Sequence, residues 1–295
     1  MAGVTNPAQD PIVARLRAAL DEARNTDGGW GYAAGNASRL EPTIWALAAR
    51  SRADGGLVDL ARLRQWPKEG PWLVDVPGTP INYAFNALAA LALVAHGDGV
   101  AAGDDLARAL LDVRGRRFSQ AAALRQDNSL QAWPWVDGTF SWVEPTSWCL
   151  LLVKKCRTRI GPAAAERIRV GDAMLRDRAC SAGGWNYGSS NVYGQELFPY
   201  VPTTAIGVLA LQDQRTDPVV VRARSWLQEH AGSEPSLTSL ALAAIALRVH
   251  GLSPGAPAAL LATRFGQIAG GGTLGLAMAL YALAESSSGD TIFTI

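Results

Sequence analysis

Three glutamates stand in near-identical phrases: Glu41-Pro42-Thr43, Glu144-Pro145-Thr146 and Glu234-Pro235-Ser236. A carboxyl group in that setting has two readings. At a helix start it caps free N–H groups and complements the positive end of the helix dipole. Facing an apolar cavity, it loses hydration, its pKa rises and it can serve as an acid near neutral pH. Glu144 is the strongest candidate for the second role, because it follows the aromatic stretch Trp133, Trp135, Phe140 and Trp142, with Trp148 just beyond. Asp137 lies inside that stretch. As Asp137-Gly138 it reads as a tight turn; among tryptophans it is a second candidate proton donor.

A second aromatic group follows: Trp185, Tyr187, Tyr193, Phe198 and Tyr200. Such rings either pack neighbouring helices or line a pocket, where their electron-rich faces stabilise nearby cations. On the pocket reading the ligand contacts are Trp133, Trp135, Phe140, Trp142, Trp148, Tyr193, Phe198 and Tyr200. Asn82 and Tyr83, with Asn86 one turn on, add polar groups to an otherwise apolar helix. Asn82 and Asn86 either point into a cavity or bond neighbouring hairpins. Arg114, Arg116 and Arg117 form a solvated basic face or grip a carboxylate or diphosphate, as arginine does bidentately; Arg117 joins the candidate contacts. Lys154, Lys155, Arg157 and Arg159 fall at a helix C-terminus, where cations suit the dipole. Cys149, Cys156 and Cys180 lack metal-type pairing, and His96, His230 and His250 fall near helix ends. No metal and no cofactor is expected.

Helices must position these groups. Two looser copies of the proline phrase, Thr79-Pro80-Ile81 and Val201-Pro202-Thr203, bring the total to five, each standing before an apolar run. Proline suits the first helical turn, so five helices start alike, with their positive ends on one side. Upstream of each apolar helix lies an amphipathic one. The predicted pairs are 12–23 with the helix after Pro42, 57–66 with 82–96, and 104–113 with 147–156. Then come 163–178 with 203–212, 219–230 with 237–250, and 257–268 with 273–286. A helix apolar on one side sits at the surface; one apolar all round is enclosed. The alternation predicts an all-α fold: an α/α toroid of six hairpins forming one domain over 1–295, with 1–10 and 287–295 flexible or peripheral. Ile292 to Ile295 is a candidate plug for a neighbouring groove. Gly28-Gly29-Trp30 and Gly183-Gly184-Trp185 end outer helices, where positive φ is wanted. The two longest connections, 114–143 and 181–201, carry both aromatic groups and read as ordered, functional loops.

The bulk numbers exclude other classes. A net charge of +1 gives no electrostatic reason to expect nucleic acid or an anionic membrane. The longest apolar runs, 83–95 and 274–284, are too short to span a bilayer. The start has no basic region followed by an apolar stretch, and the odd cysteine count fits a reduced compartment, so a cytoplasmic location is expected.

The stretches GGWGYAAGNASRLEPTIWALAAR and GGWNYGSSNVYGQELFPYVPTTAIGVLALQ resemble the repeat of the terpenoid cyclase and protein prenyltransferase superfamily, the squalene–hopene cyclase-like proteins. The resemblance implies a six-hairpin toroid around an aromatic funnel that binds isoprenoid chains near the inner-helix N-termini. It implies an apolar isoprenoid or polyene as ligand, with Glu144 or Asp137 as the acid. The Asp-x-Asp-Asp element of the cyclases is missing, since Gly103-Asp104-Asp105 is a poor substitute, and so is the Asp-x-Cys zinc pair of the prenyltransferases. The alternatives are a non-catalytic toroid that binds a lipid or peptide, and a carbohydrate-processing toroid. The latter would use paired carboxylates and aromatic platforms.

Overall fold

The computed structural model describes residues 11–54, 60–95, 99–120, 125–264, 272–284 and 292–295. These residues form twelve α-helices in six outer–inner pairs. They are α1 Pro11–Glu22 with α2 Leu40–Ala53, α3 Ala61–Arg64 with α4 Tyr83–Val94, and α5 Val100–Leu110 with α6 Val143–Cys156. Next come α7 Ala163–Asp177 with α8 Val201–Ala210, α9 Pro218–His230 with α10 Leu237–Val249, and α11 Gly255–Thr263 with α12 Thr273–Leu283. Each inner helix packs on the next, and α12 packs back on α2, so the inner ring closes. The fold is all-α, an α/α toroid. Two short hairpins decorate its loops: β1 Lys68–Glu69 with β2 Trp72–Leu73, and β3 Asn191–Val192 with β4 Gln195–Glu196, both antiparallel.

Burial follows the sequence pattern. Outer α7 buries only one stripe, including Met174 and Leu175, whereas α4 and α10 are buried nearly all round. Alanines 84, 87, 89, 90 and 92 of α4 are buried, and small side chains there let neighbouring helices approach closely. Lys154, predicted as a structural cation, is enclosed near the end of α6. It pairs with Asp172 of α7 at 2.8 Å and Asp213 beyond α8 at 2.6 Å.

The recurring phrases turn out to be two halves of one clasp. In four hairpins the fourth residue of the inner helix binds both backbone groups of a residue in the preceding loop. The Thr43 hydroxyl accepts from the Trp30 N–H (2.9 Å) and donates to its carbonyl (3.2 Å). Thr146 does the same to Trp133 (3.3 and 3.2 Å), and Thr204 to Trp185 (3.0 and 3.3 Å). The Asn86 amide does it to Leu73 (2.8 and 3.0 Å), which places Asn86 in the bonding role rather than in a cavity. Each of the three tryptophans also sends its indole N–H to a carbonyl of the outer helix: Leu20, Leu110 or Leu175. Glycine precedes Trp185 because a Cβ on Gly184, whose φ is +84°, would meet the Thr204 hydroxyl at 2.4 Å.

A second bond joins hairpin to hairpin. Two residues past the clasped one, the loop accepts the first N–H of the preceding hairpin's inner helix. The Tyr83 N–H donates to the Trp135 carbonyl (3.0 Å) and the Val143 N–H to that of Tyr187 (3.0 Å). The Leu40 N–H uses the Asp75 side chain instead (2.7 Å). The Thr273 N–H donates to the Tyr32 carbonyl (2.9 Å), so the same contact ties the last inner helix to the first loop. Free N–H groups at a helix start need partners, and here the neighbouring hairpin supplies them.

The proline phrases fall in different registers. Pro42 and Pro145 are the third residues of their helices and Pro202 the second, whereas Pro80 and Pro235 precede theirs. Val201-Pro202-Thr203 is therefore shifted by one residue from the glutamate copies. Thr146→Val keeps the shape of the side chain but removes the clasp hydroxyl, leaving the buried N–H of Trp133 unpaired while its carbonyl keeps the Trp142 N–H. We expect a loss of about 1–3 kcal/mol in urea unfolding; an unchanged midpoint would contradict the role of the clasp.

Candidate functional site

Glutamate is the second residue of both α2 and α6, two positions before the clasp threonine. The clasp thus fixes the rotation of each helix and aims Glu41 and Glu144. Four residues on, Trp45 and Trp148 lie beneath them on the same helix faces. These two indoles meet edge to face, with ring centroids 6.4 Å apart, although α4 separates their helices around the ring. The side chains therefore converge inside the ring.

The centre is filled by aromatic rings. Phe293 packs 5.4 Å from Trp45, 5.7 Å from Trp148 and 5.3 Å from Tyr281, which itself lies 5.9 Å from Trp45. This corrects the expectation of a peripheral tail. Ile292 and Phe293 are buried, and the Phe293 carbonyl accepts from the Gln212 amide at 2.7 Å, beyond the end of α8. The segment occupies the ring's own axis rather than a neighbouring groove, because only an apolar side chain can cap the aromatic floor without stranding a polar group. Residues 285–291 and 1–10, the other parts of that expectation, lie outside the described residues.

The carboxyl groups sit on this floor in unequal settings. Burial, reinforced by the nearby Glu41 carboxylate, pushes the Glu144 pKa up to about 7, against a hydrogen bond from the Trp148 indole. Burial also raises Glu41; the Tyr32 hydroxyl, donating at 2.8 Å, opposes this, Asp75 adds to it, and Arg39 opposes it. Arg39 is itself held by Asp75, with Nε at 3.1 and 3.0 Å from the two carboxylate oxygens. Glu234 differs. It precedes α10, and its carboxylate accepts the N–H of Ser236, the residue that caps the helix, at 3.0 Å. Glu41 and Glu144 can be an acid and a base of one site, since two carboxyl groups with different surroundings divide these roles.

The remaining candidates scatter. Trp133 is fully buried in its clasp, under Arg167 at 4.1 Å, and cannot touch a ligand in the ring. Burial pulls the Arg167 pKa down to about 10. Asn82 caps α4 by accepting the Phe85 N–H at 3.0 Å. Asp137 is exposed in the expected turn, with Gly138 at φ +76°, and accepts from the Tyr83 hydroxyl at 2.6 Å; the enclosure by tryptophans expected for it is absent. Trp135 is partly buried, its carbonyl on α4. Tyr200 and Tyr187 are half exposed, with ring centroids 5.4 Å apart and planes tilted by 37°. Burial first, then Glu144, raises the Tyr187 pKa, which places Tyr187 near that acid. Tyr193, at φ +52°, and Phe198 project from the β3–β4 hairpin, 81% and 79% exposed. Phe140 and Trp142 lie 4.2 Å apart on the other long loop, their planes tilted by 31°, and Arg117 is exposed there. Sequence reasoning missed Tyr32, Trp45, Tyr281 and Phe293. For Trp45 a signal existed: Glu-Pro-Thr is followed by tryptophan at the same offset in both copies.

Comparison with known proteins adds the architecture. A scan of protein-family models gives no match, and neither does a search of curated proteins. Among solved structures the chain is similar to the apo structure of a beta-1,3-1,4-glucanase from Paenibacillus sp. X4. The TM-score is 0.59 and the identity 12%, over 95% of this chain and 92% of that one. The likeness shows the fold. It does not single out the terpenoid cyclase superfamily over other toroids.

Among the described residues no cluster of three or more His, Cys, Asp or Glu side chains is arranged to hold a metal. No described helix is long and apolar enough to cross a membrane. His250 is buried against the Val208 carbonyl at 2.9 Å, and burial lowers its pKa to about 4, while His96 lies outside the described residues. Cys149, Cys156 and Cys180 are buried free thiols.

Two outcomes follow. Folded Glu144 keeps its proton to about pH 7, whereas an ordinary glutamate releases it near 4.5. Between those values the folded state binds more protons, so its stability falls as pH rises. Glu144→Gln is expected to flatten this slope, as read by urea unfolding from pH 4.5 to 7.5; an identical slope would remove the claim. Phe293→Ala empties the floor and is expected to cost about 3–5 kcal/mol, measured the same way. A change below about 1 kcal/mol would mean that the ring does not depend on it.

Proposed function

We propose that the chain is a carbohydrate-processing toroid whose mouth holds a glycan between Glu144 and Glu41. The observation that carries this reading is the carboxyl pair: two glutamates at equivalent positions of α2 and α6, electrostatically coupled, with unequal surroundings. Neutral Glu144 donates its proton to the leaving oxygen of a glycosidic bond. Glu41, oriented by the Tyr32 hydroxyl that donates to it, serves as the base or nucleophile. The half-exposed neighbours Tyr187 and Tyr200 offer a platform for a sugar ring.

The filled centre supports a polar ligand. With Trp45, Trp148, Tyr281 and Phe293 closing the axis, a ligand occupies a shallow mouth ringed by Tyr32, Asp75, Arg39 and the two glutamates. Hydroxyl groups can satisfy these side chains; a hydrocarbon would desolvate them without return. The glucanase likeness, at 12% identity, is in keeping with this reading through the fold alone.

A second reading rests on the same acid. The aromatic floor and the Gly-Gly-Trp and Glu-Pro-Thr phrases suit an isoprenoid, protonated by Glu144 with the cation held over Trp148.

The test is to incubate the protein with mixed-linkage β-glucan oligosaccharides and, separately, with a linear polyprenyl polyene. New reducing ends, falling by about 10²–10⁴-fold in both Glu144→Gln and Glu41→Gln, are the expected result. A cyclised hydrocarbon lost only in Glu144→Gln would favour the second reading. Equal turnover of the oligosaccharides by wild type and both variants would exclude the pair as the catalyst.

A further inference from the structure

A cavity lies away from the ring's centre, between the loops that follow α5 and α7. It has a volume of about 340 Å³, and its walls include Arg116, Phe118, Gln126, Phe140, Ser141 and Arg178. None of these side chains belongs to the mouth described above.

Three features give the cavity a chemistry. Its apolar wall is a run of rings: Phe118 meets Phe140 edge to face at 5.8 Å, and Phe140 lies against Trp142 at 4.2 Å. Phe118 is 44% and Phe140 37% exposed, so these rings present open faces. Its cation is Arg116, whose guanidinium lies over the Phe118 ring at 5.4 Å. Among the described residues no oxygen accepts a hydrogen bond from that guanidinium, although the Arg116 backbone N–H is fixed on the Thr139 carbonyl at 2.7 Å. The third feature is Ser141. It borders the cavity and is only 5% exposed, and its hydroxyl, closed to solvent behind that wall, has no hydrogen-bond partner. A buried hydroxyl left unpaired is costly, and a ligand acceptor in the cavity would relieve it.

The remaining polar groups narrow the ligand's charge. Arg178 is buried in the wall but already pairs with Asp177, and its Nη2 donates to the Asp127 carbonyl at 3.3 Å. Gln126 is engaged at both ends: its carbonyl accepts from Ser189 at 2.6 Å and its amide donates to Asn128 at 2.8 Å. Among the described wall residues one guanidinium, that of Arg116, remains uncommitted, beside the unpaired buried hydroxyl of Ser141. That set matches a single negative charge with two oxygens, accepted fork-on by the guanidinium and singly by the serine. A phosphate dianion would call for a second free cation.

We propose that this cavity is a binding site for a small planar carboxylate, its flat apolar body on Phe118 and Phe140 and its carboxylate between Arg116 and Ser141. Of the basic run Arg114, Arg116 and Arg117, only Arg116 takes the gripping role; the Arg114 guanidinium is spent on carbonyls that end α5, those of Leu111 and Val113. The site stands independently of the carbohydrate reading.

Calorimetric titration with 2-naphthoate tests it, with 2-naphthamide as the uncharged isostere and inorganic phosphate as competitor. We expect saturable binding of naphthoate, at least tenfold weaker binding of naphthamide and no displacement by phosphate. Arg116→Gln, an exposed position whose change does not threaten folding, is expected to weaken naphthoate binding ten- to a hundredfold, and Ser141→Ala three- to tenfold. Glu144→Gln is expected to bind as wild type does. The proposal is overturned by no binding at millimolar naphthoate, by equal binding of the amide, by displacement with phosphate, or by an Arg116→Gln variant that binds like wild type. Loss of binding in Glu144→Gln would place the ligand in the ring and equally overturn it.

Discussion

The clasp between a loop residue and the fourth residue of the following inner helix is the contact on which the rest depends. One short side chain pairs both the N–H and the C=O of a buried residue. It thereby fixes the loop, the start of the inner helix and the rotation of that helix together. Threonine does this in three hairpins and asparagine in a fourth, where the loop residue is Leu73 instead of tryptophan. The chemistry required is one donor and one acceptor on a short arm, and both residue types provide it. The bond from the next hairpin's loop to the first N–H of the inner helix then makes the arrangement propagate. Because the last helix receives its bond from the first loop, the ring needs no capping repeat.

The candidate site is a consequence of that geometry. A residue two places before a clasped threonine is held at a set angle to the ring's axis. Two such places carry glutamate, and the residue one turn further on is tryptophan in both. The pair is therefore a by-product of repetition: the same backbone device, used twice, delivers two carboxyl groups above two indoles. What makes them unequal lies outside the repeat. Tyr32, Asp75 and Arg39 surround Glu41, whereas Glu144 has the Trp148 indole and apolar walls. A symmetric scaffold with asymmetric neighbours is a direct way to separate an acid from a base.

Much of the fold was legible in the sequence. The alternation of one-sided and all-round apolar segments located the twelve helices found among the described residues, with ends off by up to about five residues, since enclosure by neighbours leaves no polar face; the predicted positions 57–59, 265–268 and 285–286 lie outside the described residues. The closed ring followed from the same alternation. Helix starts were less legible. Pro80 and Pro235 stand outside their helices and Pro42 inside, because proline tolerates the positions around a helix start and does not mark one residue. The site was legible only in part. Glu144 could be singled out from its aromatic surroundings, but Glu41 looked equivalent to Glu234 until its register in the helix was known. The floor was legible only in pieces: Trp148 stood out, and Ile292 to Ile295 read as a plug, but for a neighbouring groove. Phe293 is about 250 residues from Trp45, and nothing local in the sequence says that a distant segment returns to the axis. Trp133 shows the opposite error: an aromatic in a functional-looking loop is consumed by the clasp.

The central claim is that the ring holds two coupled carboxyl groups of unequal acidity. Carbon-13 NMR titration of the glutamate side-chain carboxyl groups tests it most directly. The account predicts one resonance titrating near pH 7, absent in Glu144→Gln and shifted to lower pH in Glu41→Gln, where the neighbouring charge is gone. Glutamates that all titrate below about pH 5, the range of ordinary carboxyl groups, would contradict it.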